Sequence, residues 1–235
     1  MKTVKAVVAA ATLLACAPAF AQRLADISVY DRSEGRWLKV YRHEGRAYVA
    51  GSPGHEYQIR VTNRLSEDLL AVVSVDGVNV ITGQSAHPSQ SGYVISPRAP
   101  VEIQGWRKNL SQTAAFYFTA LPDSYAARTG RPEDVGVIGV ALFRRKHEPQ
   151  PITPSISDSP AAARAESSIG TGHGRREHAP AVRVTFERAS SAPAELITIY
   201  YDSHANLLAR GVIRDPVQVA PRPRPFPGFV PDPQG

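Results

Sequence analysis

The residues best able to do chemistry cluster in Gly170-Thr171-Gly172-His173-Gly174-Arg175-Arg176-Glu177-His178. His173, Glu177 and His178 are all metal-ligand types, and a divalent ion held there with help from Asp202 or His204 could activate a water for hydrolysis. The spacing is not that of zincins, which place two histidines four apart on a helix. The glycines do not form GxGxxG and no strand signal precedes them, so a nucleotide phosphate has no helix N-terminus to rest on. A loop with incidental histidines is the plainer account. Gly83-Gln84-Ser85-Ala86-His87 outlines a nucleophile elbow but lacks the final glycine, and Pro88 follows where a helix should start; it reads as a polar loop.

A second constellation is suited to binding rather than reaction. Trp106 and Arg107 end one apolar run, and Arg128 and Arg131 follow a short turn that Asp123 can cap and Gly130 can stop. Arginine offers a planar fork to carboxylate or phosphate, and tryptophan a face for stacking. If the four converge at one end of a β-scaffold, they make a site for an anionic group. The alternative is a tryptophan plugging the core and arginines paired with Glu133 or Asp134.

The elements that must position these residues are strands. In His55–Val61, Tyr57, Ile59 and Val61 alternate with polar neighbours, the period of a half-buried strand. Leu69–Val75 runs into Asp76-Gly77 and then Val78–Ile81, a hairpin signal because both turn residues tolerate positive φ. Val101–Trp106 and Ala114–Ala120 continue the pattern. Val135–Phe143 is apolar on both faces, as a central covered strand would be. Ala181–Glu187 and Glu195–Tyr201 read as a hairpin, and Ser203 can cap a short helix stopped by Gly211. The expected fold is all-β: an antiparallel sandwich or open barrel, with the C-terminal hairpin and short helix packed on it. The expected divisions are 1–21 export signal, 22–147 sandwich core, 148–168 linker or mobile loop, 169–214 hairpin and helix, and 215–235 proline-rich tail.

The first residues have the parts of a secretory signal. Lys2 and Lys5 precede an uncharged run from Ala6 to Ala15, then Pro18 and Ala19-Phe20-Ala21, so cleavage is expected between Ala21 and Gln22. The run is too short to span a bilayer. Leu13-Leu14-Ala15-Cys16 offers an alternative, a lipobox that would make Cys16 the lipidated first residue. Cleavage at Ala21 removes the one cysteine, which excludes disulfides and thiol chemistry from the mature chain. The formal charge of +6 falls to +4 with Lys2 and Lys5 gone, and arginine supplies most of it. Export argues against nucleic acid as a partner; an anionic envelope polymer or another envelope protein is the expected class.

Gly92-Tyr93-Val94, Gly105-Trp106-Arg107-Lys108, the run from Ser124 to Pro132 (SYAARTGRP), VGVIGVALF, GTGHGRRE and Tyr201-Asp202-Ser203 together resemble a group of exported proteobacterial proteins with no assigned activity. The resemblance spans most of the mature chain and implies a cell-envelope setting, in the periplasm or outside the cell, with no cofactor or catalytic residue. The function expected is binding or structural, with metal-assisted hydrolysis at His173 and His178 as the alternative.

Overall fold

A computed structural model describes residues 23–146 and 169–214. The expected signal peptide and cleavage site, Cys16, the segment 148–168 and the proline-rich tail lie outside the described residues.

Two sheets pack face to face without closing into a barrel. In the first, β1 (Ala25–Asp31) pairs with the two-residue β2 (Arg36–Trp37) and with β5 (Glu56–Asn63). The other side of β5 is shared by β9 (Pro100–Ile103) and β11 (Gln112–Thr119), and β11 also carries β10 (Gly105–Arg107) and β13 (Gly170–His178). The second sheet runs β3 (Val40–His43), β4 (Arg46–Ala50), β14 (Glu195–Asp202), β12 (Val137–Arg144), β6 (Leu69–Val75) and β7 (Val78–Asn79), with β8 (Tyr93–Ile95) on β6. Every pairing is antiparallel except β14 with β4, which is parallel.

Period-two patterning turns alternate residues of both sheets into one core. Val29, Tyr57, Ile59, Val61, Phe116 and Phe118 of the first sheet meet Val49, Val73, Val75, Ile138, Val140 and Tyr201 of the second, all buried. The Asp76-Gly77 hairpin forms as its residues demand, with φ of 50° and 68° and Val75 opposite Val78. β12 lies between β6 and β14, as its two apolar faces require. Its outer face, Ala141 and Phe143, is buried with Leu70 and Val72. The helix α2 (His204–Ala209) begins at Ser203, whose hydroxyl accepts from Asn206 N–H, and ends before Gly211 at φ 70°.

Three expectations need correction. Ala181–Glu187 forms no strand. Val182 and Val184 are 83% and 59% exposed, and only Phe186 packs, onto the outer face of β12. The alternation is present, but the segment spans two elements instead of lying along one: Ala181 N–H donates to Leu110 O, and Glu187 O accepts from Lys146 N–H. Conversely, Gly170–His178, read as a loop, is a nine-residue strand on β11. Its glycines are required by the neighbour: a Cβ on Gly172 would lie 2.1 Å from the Tyr117 ring, so the ring fills the space a side chain would occupy. β13 and β14 therefore do not form a hairpin; each belongs to a different sheet. The cap of the short helix α1 (Tyr125–Arg128) is Ser124, not Asp123, accepting from Ala127 N–H.

Candidate functional site

Trp106 proves to be core. It is 3% exposed, stands edge-on to Phe116 with centroids 5.2 Å apart, and packs against Tyr125. Arg107 donates to the carbonyls of Ala179 (2.7 Å) and Asn109 (3.2 Å) and lies against Tyr93. Arg131 donates twice to Gly83 O at 3.1 Å. Neither pairs with Glu133 or Asp134; both serve as clamps on backbone carbonyls. Arg128 alone of the four is exposed, at the last turn of α1. Trp106, Arg107 and Arg131 thus have structural duties, while Arg128 is left exposed.

His173 lies opposite Phe116 and His178 opposite Gln112. Four residues of strand separate those partners, about 13 Å, so one ion cannot touch both histidines. His173 stacks beside Tyr125, 5.6 Å between centroids, and burial together with Lys108, Arg176 and Arg128 holds its pKa below the usual histidine value. Such a ring is neutral at physiological pH and stands among cations. Asp202 and His204, the suggested further ligands, are elsewhere: Asp202 accepts from Ser203 N–H and Asn206 and pairs with Arg210 at the start of α2.

Three arrangements arise from residues far apart in sequence. The first is a polar knot between the sheets. Asp76 Oδ1 accepts from Tyr201 OH (2.5 Å) and Gly136 N–H (2.9 Å), and Oδ2 from Thr171 N–H (2.6 Å). Thr171 Oγ1 joins the hydroxyls of Tyr201 (2.7 Å) and Tyr57 (2.5 Å). Burial pushes Asp76 up to about 6 against the pull of these hydrogen bonds, and raises both tyrosines well above their usual range. The knot ties β5, the β6–β7 turn, β13 and β14 together, and it is sealed from solvent, so its role is cohesion.

The second is Asp31, Glu34 and His55, whose ligand-type atoms lie within 4.8 Å of one another. Asp31 is buried at the end of β1. Its Oδ1 accepts from the N–H groups of Ser33 and Glu34, and its Oδ2 meets His55 Nδ1 at 2.8 Å. Arg36 pairs with Glu34. The group has the donor types for a divalent cation, yet each charge already has a protein partner. As it stands, Asp31 orients the imidazole and pins the turn between β1 and β2.

The third is a cleft of about 460 Å³ at one open side of the sandwich. Ile27 of β1 forms one wall; Val40, Ala47, Ile197 and Ile199 of the second sheet form the other, with Arg23, Arg42, Arg46 and Glu195 at the rim. Ile27, Ala47 and Ile197 are inward-facing residues packed against the core, so here the core reaches solvent. Glu195 is occupied, accepting from Leu24 N–H at 2.7 Å. Arg46 lies over Tyr200. Arg23 and Arg42 are exposed and have no carboxylate partner among the described residues. Arg32 and Arg175, by contrast, share Glu56 and Glu177. An apolar floor under unpaired guanidinium groups suits a ligand carrying negative charge beside an apolar part.

None of these three was legible beforehand. Arg23, Arg42 and Ile27 stand in runs without any local motif, and the cleft exists only because β14 inserts beside β4. No protein-family model, curated protein or solved structure matches the chain.

Proposed function

We propose that this chain is an exported cell-envelope protein that acts by binding, and that the cleft between β1 and β14 is its binding site. Export rests on the signal-like residues 1–21, with Cys16 lipidation as the alternative anchor. The observation that carries the site is the exposure of core residues Ile27, Ala47 and Ile197 beneath Arg23 and Arg42, which lack carboxylate partners among the described residues. Exposed apolar surface costs free energy in water, and a rim of like charges adds repulsion; a ligand that covers the one and neutralises the other recovers both. The partner is therefore anionic, an envelope polymer or another envelope protein.

The test uses the purified mature chain and fractionated envelope material. Binding is expected to fall with rising salt and to weaken at least tenfold in Ala47→Trp, which fills the cleft, and in Arg23→Glu/Arg42→Glu, which reverses the rim. Binding that survives both changes, in variants that retain the parent's circular dichroism, would overturn the proposal.

A further inference from the structure

A bulge in β13 decides which face its arginines take. On β11, Phe116 and Ala114 are two residues apart and both belong to the core; their partners on β13, His173 and Arg176, are three apart, and the register shifts between them. Gly174 lies in that bulge, so close to β11 that a Cβ there would be 2.7 Å from Ala115 O. In an unbroken strand residues three apart take opposite faces. Here the extra residue returns Arg176 to the face of His173, while Arg175 and Glu177 take the other face and bond Glu56 and Arg32. Trp106 of β10 lies opposite Ala114, and Lys108, two residues on, is still tied to β11 by its N–H to Gln112 O at 3.0 Å. Alternation therefore carries Lys108 to the face of Trp106. The helix α1 packs on β13, with Tyr125 against Trp106 (4.8 Å between centroids) and His173 (5.6 Å). Arg128, three residues on, shares the Tyr125 side of that helix. Lys108, Arg128 and Arg176 thus come toward one imidazole from three elements. All three are exposed, and none has a carboxylate partner among the described residues. Their field, together with burial, favours the neutral form of His173.

We propose that this face is a second binding site, in which Lys108, Arg128, Arg176 and His173 hold a phosphate group. None of the four lines the cleft, so the site is independent of the one assigned above. The number of donors selects the ligand. A phosphate monoester brings three terminal oxygens and nearly two negative charges, enough to meet three cations and an imidazole N–H. A carboxylate brings two oxygens and one charge. Arginine adds a planar fork suited to two phosphate oxygens at once. The imidazole is already oriented by its stack on Tyr125, so binding costs little further ordering at that residue. A soluble phosphate ester and a lipid phosphate share this chemistry.

The probe is inorganic phosphate, titrated into the full mature chain by calorimetry while the His173 ring is followed by NMR. Expected are saturable binding, a shift of the His173 ring resonances, and weaker binding of acetate. Arg176→Ala should lower phosphate affinity about tenfold with the circular dichroism of the parent retained, the loss expected for one charge-assisted hydrogen bond. Arg175→Ala removes the same charge one residue away but from the opposite face, and should leave the affinity within about twofold, as for a screened exposed charge. Equal losses in the two variants would reduce the effect to general attraction and overturn the site. Absence of phosphate binding, acetate binding as tight as phosphate, or binding that leaves the His173 ring unperturbed would each overturn it as well. Vesicles of phosphatidylcholine with phosphatidic acid distinguish the carriers. Sedimentation with them that free phosphate suppresses and Arg176→Ala weakens assigns the group to a lipid; phosphate binding without sedimentation assigns it to a soluble ester.

Discussion

Asp76 carries more of the molecule than a turn residue usually does. Its backbone makes the left-handed step of a hairpin, and its carboxyl ties that hairpin to β13 and β14. Unfolded, it ionises near 3.8; folded, near 6. Between those values the folded protein keeps a proton the unfolded chain has released. Stability therefore falls as pH rises through that window and levels off above it, by about 3 kcal/mol for this one group. Urea denaturation at pH 4, 5 and 7 should show this decline, and Asp76→Asn should flatten it over the same range. A parent curve with no decline attributable to Asp76 would count against the shift. Gly172 makes the complementary case, a residue defined by what it lacks. Gly172→Ala drives a methyl into the Tyr117 ring, and thermal melts should register a loss of about 1–3 kcal/mol, the range for overpacking. Gly172→Ala combined with Tyr117→Ala should recover part of that loss.

Among the elements, those whose evidence was local could be read from the sequence, and those that depend on a distant neighbour could not. The Asp76-Gly77 hairpin, the two-faced apolar β12 and the Ser203-capped α2 each carry their instructions within ten residues. β13 does not: its glycines and charges resemble a loop, because Tyr117 of β11 supplies the bulk that would have marked a strand. The segment from Ala181 to Glu187 fails in the opposite way, with the right alternation but its two ends bonded to different elements, at Leu110 and Lys146. The site followed the same rule. Trp106 and Arg107 were singled out by type, whereas their partners, Gly172 O and Ala179 O, lie more than 60 positions on and convert them to structure. Caps remain the most local devices, and Ser203→Ala should cost about 1 kcal/mol in chemical denaturation, with the loss confined to the α2 region in hydrogen exchange.

For the molecule as a whole, the sandwich is held by its core, its polar knot and its ion pairs, since the mature chain expected from cleavage at Ala21 has no cysteine. The same opening that supplies the cleft leaves one side of that core less protected than the other. Filling it with Ala47→Trp should therefore abolish binding while holding or raising the melting temperature. A filled variant that is both less stable and still competent to bind would assign Ala47 to the core alone.

The parallel pairing of β14 with β4 also dictates an order of assembly. β14 lies between β4 and β12, although those two strands are some ninety residues apart in sequence and both precede it. Until residues 195–202 are in place, the second sheet exists as two pieces, β3–β4 and β6–β12, each with an open edge toward the other. A chain emerging N-terminus first cannot close this sheet early, and contacts of such long sequence separation form slowly. If the chain is exported as proposed, that delay keeps it extended until almost all of it has crossed the membrane. Truncation after Ala194 should accordingly leave a chain without cooperative thermal unfolding, whereas truncation after Arg214 should fold.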